Sequence, residues 1–250
     1  MTELEALAIL AAGVGAGTIN AVVGSGTLIT FPVLLAVGYP PVVANVSNTV
    51  GLVPGSVSGS IGYRRELAGQ GRRAARLSIA SVLGGITGAL LLLELPASAF
   101  ETIVPAFIGI ALVLIVLQPW LSKRLGRRRP EGHHGGPLVA TGVYGAGVYG
   151  GYFGAAQGIL VVSILGLALP DDLQRLNALK NVLTGLVNLV AGLVFIVVAA
   201  EIAWGAALLI AAGSLVGGVL GSRYGRRLPP QALRAVIVVV GVVAIADLLS

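Results

Sequence analysis

Two short clusters of hydrogen-bonding side chains stand inside stretches otherwise suited to lipid. The first is Asn45, Ser47, Asn48 and Thr49, with Ser56 further on; the second is Asn177, Lys180, Asn181 and Thr184, with Asn188. Each set falls along one face of a helix, because residues three and four apart are neighbours there. Ahead of each stands a glycine-rich break: Asn20 and then Gly24-Ser25-Gly26-Thr27 in the first half, and Gly145 to Gly158, with Gln157, in the second. A broken helix offers free N–H groups and the positive end of its dipole, which together hold a carboxylate or sulfonate. The competing readings are a kink relieved by close packing, and Asn side chains acting as interhelical glue at about 0.6 kcal/mol each. Lys180 either snorkels to the surface or faces a cavity and attracts an anion. The candidate solute-binding residues are therefore Asn20, Gly24, Ser25, Gly26, Thr27, Asn45, Ser47, Asn48, Gln157, Gly158, Asn177, Lys180, Asn181 and Thr184, with Asn48 and Asn181 foremost. Arg175 is shallower and reads as an interfacial anchor.

These residues need a membrane around them. The 250-residue chain is 56% apolar and 10% charged, where a soluble domain carries about 25% charged residues. Cysteine is absent, which excludes disulfides and thiolate sites. The net charge of +6 sits in short loops between apolar spans, the pattern of positive-inside topology rather than of nucleic-acid binding. The acidic start Met1-Thr2-Glu3-Leu4-Glu5 lacks the basic region of a cleaved signal peptide.

Residues 4–37 as one helix would measure about 50 Å, against about 30 Å of hydrocarbon. The run must therefore break, and Gly24-Ser25-Gly26 is where. Pro40-Pro41 opens a polar-faced helix that ends at Tyr63-Arg64-Arg65. Spans at about 77–94 and 99–121 form a hairpin through Glu94 to Ser98. After the basic segment 122–137 the order recurs: an uncharged run over 138–170, an N-cap signal at Asp171-Asp172, a polar-faced helix, and spans at about 203–222 and 231–249. Aligning Gly26-Thr27-Leu28 with Gly158-Ile159-Leu160 sets Pro40-Pro41 beside Asp171-Asp172 and the Asn45–Asn48 cluster beside Asn177–Asn181. The expected fold is an all-α polytopic membrane protein of two inverted-topology repeats, 1–121 and 138–250, joined by a basic loop. Each repeat has a broken pair, a polar-faced helix and a hairpin, giving about eight main spans, with short pieces that either cross or re-enter. Basic loops at 64–76, 122–129 and 223–227 are expected in the cytoplasm, and both termini outside.

Other chemistries find little support. Gly145 to Gly150 matches a dinucleotide fingerprint in pattern only, since it follows no strand. His133-His134 lie in a charged loop without partners for a metal. Apart from Asp247 near the chain end, no His, Asp or Glu lies deep in a span, which argues against an intramembrane hydrolase. Gly-x-x-x-Gly runs such as Gly51/Gly55/Gly59, Gly150/Gly154/Gly158 and Gly213/Gly217/Gly221 read as helix-packing faces.

At Val23-Gly-Ser-Gly-Thr-Leu-Ile-Thr-Phe-Pro32, Gly38-Tyr-Pro-Pro41 and Ala44-Asn-Val-Ser-Asn48 the chain resembles the sulfite exporter TauE/SafE family, with Asn177-Ala-Leu-Lys-Asn181 similar to a second-repeat counterpart. The resemblance covers essentially the whole chain. It implies a multi-pass permease for small anions, often sulfur oxyanions or organosulfonates such as sulfite or sulfoacetate. The chain departs from the commoner pattern in having Gly-Ser-Gly for a longer glycine run, and Gly154-Ala-Ala-Gln-Gly158 for a glycine run and proline. The expectation is a non-enzymatic, cofactor-free transporter in a prokaryotic plasma membrane, working by alternating access, export favoured, with a homodimer open to it. A channel-like pore and a membrane scaffold are the rivals.

Overall fold

The computed structural model describes residues 1–125, 136–198, 200–225, 237–239 and 242, and among these all regular structure is helical. In chain order the helices are α1 (Glu3–Val22), α2 (Thr27–Ala36), α3 (Pro41–Gly51), α4 (Val53–Gly62), α5 (Gly71–Glu94), α6 (Ala97–Leu125), α7 (Pro137–Tyr152), α8 (Gln157–Ala168), α9 (Leu173–Val197) and α10 (Trp204–Tyr224). Five of them, α1, α5, α6, α9 and α10, are long and apolar enough to cross a bilayer. The chain is a polytopic helical membrane protein. Its expected span at 231–249 and the pair His133-His134 lie largely or wholly outside the described residues.

Helix boundaries follow local chemistry. Thr2 starts α1 with a capping box: its hydroxyl accepts from Glu5 N–H, and its own N–H donates to Glu5 Oε2 at 2.7 Å. Pro41 occupies the first turn of α3, and Asp172 caps α9 by accepting from Gln174 and Arg175 N–H. Two boundaries differ from the sequence reading. The single polar-faced helix expected after Pro41 is split at Leu52 into α3 and α4. Pro54 lacks an N–H and its ring crowds the Val50 carbonyl, so the ladder cannot run through. Gly150, Gly154 and Gly158 do not form one packing face, because Gly154 lies in the break between α7 and α8.

With α3 and α4 counted as one segment, six segments sort into two parallel trios. In the first, Gly13 lies against Gly213, Gly17 against Ser214 and Ala21 against Gly221, so α1 and α10 run the same way; α3 and α4 join them through Gly51 against Ile210 and Gly55 against Ser214. In the second, α5 runs with α7 and with α9, the Ser81 hydroxyl donating to Leu183 O at 2.9 Å. The trios meet antiparallel: Asn188 Nδ2 donates to Ser56 Oγ at 3.2 Å, while Gly192 lies back against Val50. Each first helix of one half thus packs on the fourth element of the other, α1 on α10 and α7 on α5. Small residues permit this closeness. A Cβ at Gly217 would run into the Val14 carbonyl, and one at Gly88 into that of Val148.

The short helices double back. Ile29 of α2 touches Gly15, and Gly26 faces Ala16 and Asn20, so α2 returns along α1; in α8, Gln157 faces Gly150 and Ile164 faces Gly142, so α8 returns along α7. Both breaks are tips of helical hairpins, not kinks in a continuing span.

Beyond the hairpins, the start of α9 is fastened to the arginine-rich loop. Asp171 is paired with Arg73 and with Arg175 Nε, while Arg175 also donates to Ala68 O and Gln70 Nε2 to Arg175 O. Burial opposes ionisation of Asp171, but hydrogen bonds from Arg175 and Arg73 outweigh it and hold the carboxyl below its ordinary range. A carboxyl lowered in the folded state contributes stability that is present above its unfolded pKa and lost as pH falls through the folded value. Asp171→Asn is therefore expected to lower stability at neutral pH by about 2 kcal/mol, the scale of hydrogen bonds to charged groups. Chemical denaturation against pH should show the parent converging on the variant only under acid conditions.

Candidate functional site

The two tips are built alike. At the end of α1, Val23 and Gly24 N–H both donate to Ile19 O; at the end of α7, Phe153 and Gly154 N–H both donate to Tyr149 O. Gly24 (φ +87°) and Gly154 (φ +80°) take the left-handed turn that closes such ends, and Ala156 (φ +57°) is held there without the freedom of glycine. The tips touch: Gly158 N–H donates to Gly24 O at 3.0 Å.

Each broken helix ends in carbonyls that its own ladder cannot use, and side chains from the opposite half take them. Lys180 Nζ donates to Asn20 O at 2.8 Å and Ala21 O at 3.3 Å, and Ala21 O also accepts from Asn177 and Asn181 Nδ2, each at 3.1 Å. Lys180 is fully buried. It therefore neither snorkels nor hangs free in a cavity; it caps α1 with a positive group, the sign the carbonyl end of a helix dipole favours. Across the molecule, Asn45 Nδ2 donates to Tyr152 O at 2.9 Å and caps α7.

The amide end of α2 is left open. Hydrogen bonding within α2 begins with Leu28 N–H to Ser25 O, so the amides of Gly26 and Thr27 have no partner among the described residues. Four buried side-chain atoms at the tips are unpartnered as well: Ser25 Oγ, Gln157 Nε2, Asn45 Oδ1 and Tyr152 Oη. Buried polar atoms are normally satisfied, and unsatisfied ones call for an explanation such as an absent ligand or water. Asn48 is engaged between two residues of α2, donating to Thr27 Oγ1 at 3.3 Å and accepting from the Thr30 hydroxyl.

Of the predicted residues, Asn20, Gly24, Ser25, Gly26, Thr27, Asn45, Asn48, Gln157, Gly158, Asn177, Lys180 and Asn181 form the tips or bond to the hairpins that carry them. Ser47 and Thr184 do not. The Ser47 hydroxyl accepts from Ala203 N–H at the start of α10, and Thr184 donates to Lys180 O in its own helix. Sequence reasoning missed the aromatic wall. Phe31, Phe100, Phe107, Tyr149, Tyr152 and Phe153 interlock around the second tip, with Phe31 and Phe153 centroids 5.2 Å apart, and Tyr149 Oη donates to Ala155 O at 2.6 Å. Four of the chain's five phenylalanines lie in this cluster, a concentration visible in the sequence only as aromatics flanking the second glycine break.

Chemically, the site offers mainly donors: open amides, hydroxyls, a carboxamide N–H and a nearby ammonium, with the helix-end carbonyls capped and the carboxamide oxygen of Asn45 left as an acceptor. No cluster of metal-ligating side chains exists among the described residues. Broken helices that meet inside a polytopic bundle, with unsatisfied donors at the meeting point, define a membrane transporter. The chain belongs to the sulfite exporter TauE/SafE family, whose model matches residues 9–248. It is 28% identical over 236 residues to "Probable membrane transporter protein YfcA" of Escherichia coli (strain K12), covering 94% of this chain and 86% of that one. A "Probable membrane transporter protein" of Haemophilus influenzae is 29% identical over 225 residues, covering 88% of this chain and 85% of the relative. A further relative, "Probable membrane transporter protein ORF9" of Sinorhizobium sp, is 28% identical over 239 residues, with 94% and 88% covered. No solved structure matches.

Proposed function

We propose that the protein is a secondary transporter of a small anion, bound where the two hairpin tips meet and exchanged across the plasma membrane by alternating access of two inverted halves. The observation that carries this reading is the asymmetry at the tips. Carbonyl ends, which would serve a cation, are occupied by Lys180, Asn177, Asn181 and Asn45, whereas the amide end of α2 and the donors Ser25 and Gln157 are open. A sulfur oxyanion or the sulfonate group of an organosulfonate, each with three or more acceptor oxygens or sulfurs on one centre, matches several convergent donors, and the family's description as a sulfite exporter points the same way. The equivalent capping of α1 by α9 and of α7 by α3 supports two inverted halves. Arg64, Arg65, Arg73 and Arg223 mark the cytoplasmic ends, and Glu3, Glu5, Glu94 and Glu201 the outer ones. An anion leaves a cell that is negative inside with about 2.3 kcal/mol per charge per 100 mV, so export needs no coupling ion.

The test is thermal stabilisation of purified protein by sulfite, thiosulfate, sulfonates, carboxylates and phosphate. One class of sulfur anion is expected to raise the melting temperature. Ser25→Ala and Gln157→Leu remove groups that bond nothing in the ligand-free protein, so neither should melt lower, yet each should weaken anion binding about tenfold, as loss of a hydrogen bond to a charged ligand implies. An unchanged shift in both variants, or no shift with any anion at millimolar concentration, would remove the tips as the site.

A further inference from the structure

A second basic site lies away from the tips, at the arginine-rich ends of α4 and α10. A cavity of about 600 Å³ opens there, lined among the described residues by Ser58, Ile61, Gly62, Arg64, Arg65, Glu66, Val219, Ser222 and Arg223. Its floor is closed by tight helix contact. Ser58 Oγ donates to Leu215 O at 3.0 Å across the two helices, and a Cβ at Gly62 would collide with Ser222. Three guanidinium groups stand around it against one carboxylate. Neither Arg65 nor Arg223 has an acidic partner within ion-pair distance among the described residues.

The apolar members of the lining decide what fits. Ile61 and Val219 are 57% and 47% exposed and sit on the outward faces of α4 and α10. In a polytopic membrane protein such faces meet acyl chains. The cavity thus combines a cationic mouth with lipid-facing aliphatic walls on both sides. A free oxyanion would use the arginines and ignore the walls; an amphiphile uses both. We propose that this cavity binds the phosphate headgroup of an anionic phospholipid, its glycerol backbone between Ile61 and Val219. Basic pockets between helices at the membrane surface are suited to such headgroups, each nearby Lys or Arg adding a favourable increment. An occupant here ties α4 to α10 through their arginines, and with them the end of α1, since Val22 lies against Gly225. The anion-exporting tips play no part in this inference, and its outcome is independent of theirs.

The experiment is native mass spectrometry of the full-length protein in detergent, titrated with phosphatidylglycerol, with phosphatidylcholine and with inorganic phosphate. Retention of one phosphatidylglycerol in preference to phosphatidylcholine is expected, with no comparable retention of phosphate. Arg65→Gln and Arg223→Gln should each weaken it about fivefold, and the double variant more than tenfold. Arg72→Gln with Arg76→Gln changes net charge equally outside the cavity and should leave retention unchanged. Arg65→Lys with Arg223→Lys, which keeps the charge, should restore most of the binding and guards against a folding defect. Equal retention of phosphatidylcholine, competition by inorganic phosphate at equal concentration, or an equal loss in the Arg72/Arg76 variant would each overturn the assignment.

Discussion

Replacing Lys180 by methionine is expected to abolish anion-dependent stabilisation while the ligand-free protein melts no lower than its parent. The two halves of that expectation have different physical sources. Lys180 is fully buried, and its ammonium is satisfied by two neutral carbonyls, Asn20 O and Ala21 O, rather than by a carboxylate. The sequence of α1 beyond Glu5 and all of α4 and α8 contain no acidic residue to offset it. A lysine at membrane depth costs about 2.5–3.5 kcal/mol even on the most lenient scale. Methionine keeps the unbranched stem that packs beside Gly158 and removes that cost. What is lost is the partner of Asn20 O, at about 1–3 kcal/mol; Ala21 O keeps Asn177 and Asn181. These terms offset one another. The anion has no such substitute, because the nearest positive charge to the open amides is gone. At about one hundred times the parent Kd, a stabilisation of about 2.7 kcal/mol should vanish. Differential scanning fluorimetry with and without the anion reads both halves at once. A variant that melts far lower without ligand would make Lys180 chiefly a helix cap, and one that keeps the full anion shift would take it out of the binding site.

Much of this site could be read before any fold was known. The break at Gly24-Ser25-Gly26 follows from a run too long for the bilayer, and the Asn177–Asn181 face from helical spacing. The direction of α2 could not be read, since a helix that continues past a break and one that doubles back have the same local sequence. Nor could the exchange of caps. The orphan carbonyls of α1 are neighbours of Asn177 and Lys180 only because the second half folds over the first, and no local pattern announces a partner that far away. The correspondence between the two glycine breaks was legible but slightly out of register at the tips. The glycine match places Gly26 opposite Gly158 and, at the same spacing, Pro41 opposite Leu173, whereas the helix starts at the tips place Thr27 opposite Gln157, two residues off. One constant spacing cannot satisfy both, because α8 has 12 residues and α2 has 10. The extra length falls between the tip and the polar-faced helix, so glycines alone align the wrong residues at the place where the chemistry is.

The contact between the tips makes the sharpest test of whether their meeting matters. Gly24 has φ +87°, where an L residue is strained by about 1–3 kcal/mol. A Cβ there would also stand 2.5 Å from Gly158 Cα and 3.1 Å from its carbonyl carbon, backbone atoms that cannot rotate away. Gly24→Ala must therefore part the tips and break the Gly158–Gly24 hydrogen bond, and is expected to cost more than about 3 kcal/mol and to eliminate anion binding. Two companions separate the causes. Gly38 has φ +94° but nothing within 4 Å of a Cβ, so Gly38→Ala carries the backbone strain alone. It should be destabilised by about 1–3 kcal/mol and bind the anion normally. Gly158 does not have a left-handed backbone, so Gly158→Ala carries the contact alone, with a Cβ 2.5 Å from Gly24 Cα and 2.9 Å from Lys180 Cδ. It should lose anion binding even if most of its stability survives, because the lysine stem can yield and the Gly24 backbone cannot. Equal effects of Gly24→Ala and Gly38→Ala would mean that strain explains both and that the touching tips contribute nothing. An anion shift lost in Gly24→Ala and Gly158→Ala but kept in Gly38→Ala places the binding event at their junction.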